Sequence, residues 1–575
     1  MTDTTLGAAR MDRAAGTSGD YQWFRTYPKS VDWYAELKGE PLPDILDRTV
    51  SEYPNAICTS FMGATLTYRE IGALADKAAK GLQQLGVTKG TRVGLLLPNV
   101  PYYPVLYYAI LKAGGIVVNF NPLYTVEEIA HQAKDSGASI MITLDLKAIF
   151  PKAEALLASG VLSKLIVCPF PKVLPGLKGM LFKLAKGKEL VKINASAQKA
   201  KIVSFDTLLD NDGNYKRVPI DPDSDVAVLQ YTGGTTGTPK AAMLTHSNLS
   251  INLKQADLWE MHIEKGTERI MAILPFFHVF AMTTIMNRGI SNAAMLILVP
   301  RFDIDMVLKL IRVTKPTTMP GVPTMFNALR NHPKMNPNDL KSLRTGVSGG
   351  APLPVELKRN FEKEAGVILV EGYGLSETSP VATCNPVEGP VKEGSIGLPM
   401  PGTILSLRSL EDPTKEVPLG EKGEICIAGP QVMKGYWNKP EETKAAFVGK
   451  FFRTGDVGIM DADGFTYIVD RIKDLILCSG YNVYPRRIEE AIYQHPAVEE
   501  VTVIGIPDTY RGEAPMAFVK LRAGEAATPA DVMKFLELKL SKIEMPAKIE
   551  FRDELPKTMV GKLSKKELRA EVMKR

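Results

Sequence analysis

Cysteine is scarce in this chain. Cys58, Cys168, Cys384, Cys426 and Cys478 are the only ones in 575 residues, an odd and widely spaced set with no Cys-x-x-Cys pair. That argues against a disulfide framework and suits buried, reduced thiols in a cytosolic protein. The six histidines are equally scattered, which leaves no zinc spacing. Excess charge is lacking too: the net charge of +6 is small for the length, and no DNA- or RNA-binding signature accompanies it. No nucleic-acid partner is expected. No apolar run is long enough to cross a bilayer, and residues 1–20 lack the apolar core of a secretory signal and read as a disordered leader. There is no internal repeat. What remains is an ordinary globular composition, long enough for about four domain-sized units.

The chain then shows a regular rhythm. Thr67-x-x-Glu70 is a capping box, followed by Ile71, Leu74, Ala78, Leu82 and Leu85 at helical spacing. Residues 92–97, 116–120 and 139–144 read as buried strands. Residues 105–112 read as a helix between the first two, and Thr125-x-x-Glu128 caps another. Strands alternating with helices predict an α/β fold with parallel-type sheets covered on both faces, and ligands at the carboxyl ends of the strands. Strand signals return at 270–274, 294–299 and 367–370, while 421–428 and 465–469 suggest an antiparallel subdomain. Residues 470–575 suggest an independent α+β module, with helices at 486–495 and 529–543 and strands at 501–506 and 517–521.

Chemistry concentrates in a few stretches. Val226–Gln230 reads as a strand entering Tyr231-Thr-Gly-Gly-Thr-Thr-Gly-Thr-Pro-Lys240. Glycines with small hydroxyl side chains let backbone N–H groups approach an anion, and a threonine adds a hard-oxygen metal ligand. This is not the Gly-x4-Gly-Lys-Ser/Thr loop, because Pro239 precedes the lysine and Ala241 follows it. The rival reading is a polar surface turn. Gly346-Val-Ser-Gly-Gly-Ala-Pro352 formally matches a nucleophile elbow at Ser348, yet the only later histidine is His495, in the predicted separate module. A glycine-lined slot for a flat ring is the better reading. In Glu371-Gly-Tyr-Gly-Leu-Ser-Glu377, Tyr373 is placed to stack on a base and Glu377 to hold a hard cation beside phosphates. Arg453-Thr-Gly-Asp456 and Asp470-Arg-Ile-Lys-Asp474 suit a nucleoside sugar, against a rival reading as surface ion pairs. Gly561 lets Lys562 extend from a tight turn near the terminus, where lysines are usually just solvated.

In this order, and with Pro-Lys-Thr-x-x-Gly-Lys562 at the end, these motifs resemble the adenylate-forming acyl-CoA synthetases from about Leu42 onwards, most closely the bacterial long-chain fatty-acid–CoA ligases. Pro98-Asn-Val-Pro-Tyr-Tyr103, Asn119-Phe-Asn-Pro-Leu-Tyr124 and Gly480-Tyr-Asn-Val-Tyr-Pro485 contribute to the likeness. The resemblance implies ATP and coenzyme A as co-substrates, Mg²⁺ as cofactor, and a fatty acid as the activated acid. It implies a large domain over 21–470 and a small mobile domain over 471–575, with a hinge at Lys473. The implied nucleotide-binding residues are Tyr231, Thr232, Gly233, Gly234, Thr235, Thr236, Gly237, Lys240, Gly349, Gly350, Glu371, Gly372, Tyr373, Ser376, Asp456 and Arg471. Lys562, Thr235 and Glu377 are implied to be catalytic, the last two through the metal. Phe277, His278, Gly321 and Val322 are assigned to the acyl pocket, and Gly480 and Tyr481 to the coenzyme A side. His278 is read as lining the pocket, since a fatty acid is already ionised at pH 7. Leu477 stands where some relatives have a charged nucleotide contact.

Two matters stay open on sequence grounds. Leu177, Met180, Leu181 and Leu184 share one helical face inside a lysine-rich segment, residues 176–188. That pattern fits either a peripheral membrane contact, at the inner face of the membrane, or a solvated helix packed on the body. The alternatives to a long-chain ligase are a ligase for medium-chain, dicarboxylic or aryl acids, a Ser348 hydrolase, and a non-catalytic fatty-acid-binding or transport protein. A homodimer is left open.

Overall fold

The computed structural model describes residues 21–232, 239–260, 263–479, 481–558 and 561–574. Two mainly parallel sheets form the body. One has eight strands in the order Gly435–Tyr436, Lys240–Thr245, Val226–Thr232, Ile116–Asn119, Arg92–Leu95, Ile140–Leu144, Lys164–Cys168, Ile202–Ser204. The other has nine strands; its central run is Ile368–Gly374, Thr345–Gly349, Thr318–Gly321, Arg269–Ala272, Met295–Leu298. Both are mixed at an edge. Val226–Thr232 pairs antiparallel with Lys240–Thr245, and Ile368–Gly374 with Val381–Cys384. A further antiparallel sheet is built on Ile404–Arg408, Gly423–Ala428, Phe451–Met460 and Thr466–Arg471. The C-terminal part forms its own α+β layer, with Val498–Asp508 and Gly512–Leu521 as a long hairpin.

The elements form where local chemistry predicts them. Thr67 and Thr125 each accept from the backbone N–H of the glutamate three residues on, and each glutamate returns a bond to the threonine N–H, starting the helices Tyr68–Gln84 and Val126–Ser136. The Tyr102–Lys112 helix is buried along its whole length between sheet and neighbouring helices, which is why its sequence reads as apolar all round. The helix at the start of the last hundred residues covers Pro485–Tyr493, and the following one, Pro529–Leu536, stops seven residues short of the predicted end. Leu538, just beyond it, is exposed, but Leu540 and Ile543 still pack on the same core, so the apolar period is kept although the regular helix has ended.

All five cysteines are buried and free. Among the described residues no helix is long and apolar enough to cross a membrane.

Candidate active site

A cavity of about 2370 Å³ opens where the carboxyl ends of the nine-stranded sheet meet the antiparallel sheet and the C-terminal layer. Most predicted residues converge on it. Tyr231, Thr232, Lys240, Gly349, Gly350, Glu371, Gly372, Tyr373, Ser376, Glu377, Asp456, Arg471, Lys473, Phe277, His278 and Lys562 all line it. Gly233, Gly234, Thr235, Thr236, Gly237 and Gly480 lie outside the described residues.

The nucleoside-type residues are organised by strand register. Asp456 and Arg471 face each other across antiparallel strands, and Arg471 Nε donates to Asp456 Oδ1 at 2.9 Å. Tyr373 Oη donates to the other carboxylate oxygen at 2.7 Å. A carboxylate has about four acceptor sites, so Asp456 retains capacity for hydroxyls while held in place from both sides. Arg453 is not a surface charge. It pairs with Glu424, which is 2% exposed and also accepts from the Gly455 N–H, so the pair fixes the turn that presents Asp456. Glu371 is buried behind the glycines. Its Oε1 accepts from the Leu353 N–H at 3.0 Å, and burial pushes its carboxyl up to about 7 against the pull of Arg486.

Glu377 is buried, and desolvation raises its carboxyl above the ordinary range. Tyr436 Oη donates to its Oε1 at 2.9 Å, and Lys240 Nζ sits 5.1 Å above the Tyr436 ring. Tyr436 therefore links the loop lysine to the carboxylate. Its sequence signal was only an aromatic beside a glycine. The phenol of Tyr231 is committed elsewhere, to Asp135 at 2.7 Å.

Lys562 reaches the same place from the C-terminal layer. Gly561 has φ +81°, and its carbonyl accepts from Thr324 Oγ1 at 2.7 Å. The lysine arm then lies against Gly350, φ +77°, where a Cβ would fall 2.8 Å from Lys562 Cε. Only glycine leaves room for that approach. Burial, and then the Arg471 charge, push the Lys562 ammonium down to about 8, while Asp456 opposes the shift. His278 is pushed down to about 3 by burial, with the Lys562 charge adding to it, and its Nδ1 accepts from the Phe280 N–H at 3.3 Å. A neutral imidazole lining the cavity follows.

Two expectations need correction, for Gly321 and Val322, and the Ser348 alternative finds no support. Gly321 does not face the cavity: its missing Cβ points at the Phe326 ring, 3.1 Å away, because Thr318 and Pro320 take the cavity side of that strand. Val322 is buried at the seat of Gly561, 3.0 Å from where a Gly561 Cβ would lie. Ser348 lies in mid-strand, fully buried and with no described partner for Oγ, opposite Glu371 in register; His495 packs edge-on against Phe535 in the C-terminal layer. No nucleophile elbow exists there. Tyr481 stands on an exposed hairpin, 68% accessible, beside exposed Leu477.

The site thus gathers cations around one well-held aspartate and one buried glutamate, an arrangement for binding polyanions and stabilising charge that develops on them. Among the described residues no three His, Cys, Asp or Glu side chains cluster as a metal cage. A single carboxylate such as Glu377 fits the one metal type that takes most of its ligands from substrate phosphates and water.

Comparison with known proteins agrees with this geometry. Residues 46–437 match the family described as AMP-binding enzyme, and residues 487–562 its C-terminal domain. The chain is 43% identical to a long-chain-fatty-acid–CoA ligase of Bacillus subtilis, over 95% of this chain and 97% of the relative. The anthranilate CoA ligase AuaEII, solved in complex with anthranoyl-AMP, superposes with a TM-score of 0.81 at 26% identity, over 94% of this chain and 98% of that one. The O-succinylbenzoate coenzyme A synthetase MenE of Bacillus subtilis, solved with ATP and magnesium ion, gives 0.73 at 25%, over 92% and 100%.

Proposed function

The chain belongs to the AMP-binding enzyme family, and from that premise we propose that it is a long-chain fatty acid–CoA ligase. The fatty carboxylate attacks the α-phosphorus of ATP, forming acyl-AMP and releasing pyrophosphate. The coenzyme A thiol then attacks the acyl carbon, and AMP leaves as the thioester forms. The carrying observation is the docked Lys562, a cation delivered by the C-terminal layer to the glycine-lined floor beside Asp456 and Arg471.

Lys562 offsets charge building at the α-phosphate during the first half. Asp456 accepts from the ribose hydroxyls and Arg471 orients it. Gly349, Gly350 and Gly372 leave a slot for adenine, with Glu371 holding the Leu353 backbone N–H behind them. Glu377, with Thr235, would hold Mg²⁺, which when bound neutralises phosphate charge. Positioning of this kind can supply about 7–11 kcal/mol of the barrier. The two working bodies are residues 21–470 and 471–575. Rotation at Lys473, in the short Ile472–Asp474 turn, withdraws Lys562 and brings Tyr481 and Gly480 to the pantetheine.

A peripheral membrane contact through the Gly176–Lys186 helix completes the reading. Leu177, Met180, Leu181 and Leu184 are 67%, 54%, 51% and 76% exposed on its outer side. The inner side packs through Phe182 on Phe170 and through Gly179, where a Cβ would lie 2.4 Å from the Pro171 carbonyl. A merely solvated helix would turn the apolar face inward. This one turns it out, with Lys178, Lys183 and Lys186 at its flanks.

Pyrophosphate release that requires both ATP and a long-chain acid tests the proposal. Absence of release with every acid tried would sink it, and full retention of release by Ser348→Ala disposes of the hydrolase alternative.

A further inference from the structure

The cavity continues past the nucleotide site, between the segment that follows His278 and the inner face of the nine-stranded sheet. Phe280, Thr284 and Arg288 recur at every fourth position along one wall, and Gly349, Val347 and Thr345 at every second position along the other. The Gly349–Thr345 wall spans about 13 Å at strand rise; the wall opposite it runs through a π-helical turn, Ala281–Asn287, wider and shorter per residue than an α-helix. The middle of this channel is apolar. Its far end is not.

There Arg288 donates from Nε to Asp257 at 2.9 Å, from Nη1 to Glu260 at 2.8 Å and from Nη2 to the Ala256 carbonyl at 3.1 Å. Asn292 donates to Asp257 Oδ1 at 3.0 Å. Arg288, Glu260 and Asn292 line the cavity, whereas Asp257 stands behind and holds the other two. A guanidinium has five N–H donors, of which these bonds use three, and each carboxylate has about four acceptor sites. The cluster can therefore both give to and accept from a small neutral group. Two carboxylates against one guanidinium leave it net negative, which disfavours an added anion.

We propose that Arg288, Glu260 and Asn292 form a receptor for a neutral hydrogen-bonding group at the ω-carbon, so that long-chain ω-hydroxy acids are substrates. Asp257 is a positioning residue. The inference rests on the ligase reading above. With C–C bonds of about 1.5 Å, an extended chain advances about 1.25 Å per methylene, so roughly ten methylenes match the length of the Gly349–Thr345 wall. An ω-hydroxyl on an eight-carbon acid stops short of the cluster, in the apolar middle of the channel, where it is buried without a partner. On a fourteen-carbon acid it arrives at the cluster.

The test compares kcat/KM for pyrophosphate release with octanoate, tetradecanoate, their ω-hydroxy forms and tetradecanedioate. The ω-hydroxyl is expected to lower kcat/KM about tenfold or more at eight carbons and less than about threefold at fourteen. The dicarboxylate should fall at least about tenfold below tetradecanoate. In D257N/E260Q/R288M, with folding checked by its melting transition with ATP, the fourteen-carbon hydroxyl penalty should rise to the eight-carbon value. Thr284→Phe, which narrows the channel above the cluster, should lower kcat/KM for both fourteen-carbon acids about tenfold more than for octanoate. Equal hydroxyl penalties at both lengths would overturn the proposal, as would relief that survives in the triple variant. Absence of release with tetradecanoate itself overturns the ligase reading, and the inference with it, which is a separate outcome.

Discussion

Lys562 is the residue on which the chemistry turns, and its setting gives two separable expectations. Lys562→Ala should slow acyl-AMP formation by roughly 10²- to 10³-fold, the usual loss when one charge-stabilising group is removed. Thioester formation from supplied acyl-AMP should change little, and equal loss in both half-reactions would contradict the assignment. The second expectation concerns pH. An exposed lysine stays charged to about 10.4, but this one loses its proton near 8 because burial and Arg471 disfavour the charged form. The charged form is the active one, so kcat/KM for ATP in the adenylation half should be full below pH 8 and decline as pH rises through it. Lys562→Arg should flatten that decline, because a guanidinium stays charged throughout. A profile that is flat from pH 7 to 9 in the unsubstituted enzyme would rule out the docked lysine as the required cation.

At the scale of elements, the Gly176–Lys186 helix carries the clearest expectation. Replacing Leu177 and Leu184 with glutamine removes the two most exposed apolar side chains of its outer face and leaves Gly179 and Phe182 packed. Each buried methylene is worth about 0.8 kcal/mol at a membrane, so co-sedimentation with anionic vesicles should weaken by roughly tenfold or more, with soluble-substrate activity retained. Unchanged co-sedimentation would return the helix to the solvated class. Elements of this size were largely legible from sequence where a local signal existed. Both threonine–glutamate boxes start helices, and the β-branched runs at 116–120 and 139–144 are strands. The return strand Lys240–Thr245 was not legible: its alanines and methionine have little strand preference, and it is held by pairing with Val226–Thr232 and Gly435–Tyr436. The site divides in the same way. Glu377, Asp456 and Lys562 are recognisable within short motifs. The Tyr436–Glu377 bond, the Glu424–Arg453 pair and the direction of Gly321 depend on contacts between distant segments or on strand alternation, which no local window contains.

For the whole molecule, the question is what holds the C-terminal layer over the cavity. Beyond Lys562 itself, Thr324 Oγ1 donates to the Gly561 carbonyl, and the Asp470 carboxylate accepts from the Arg486 N–H at 2.9 Å at the start of the Pro485–Tyr493 helix. Thr324→Val removes one such bond without touching a nucleotide-lining cation. A hydrogen bond of this kind contributes about 0.5–1.5 kcal/mol, so adenylation should slow by about three- to tenfold while thioester formation from supplied acyl-AMP is spared. Loss in the second half-reaction instead would mean that Thr324 serves the wrong conformer. The docked lysine also makes nucleotide binding a proton-linked event. A polyanion arriving beside Lys562 draws its pKa upward, so between pH 8 and 9 each ATP bound should take up part of a proton from solution. Binding enthalpies measured calorimetrically in buffers of different ionisation heat should then diverge at pH 8.5 and converge at pH 7.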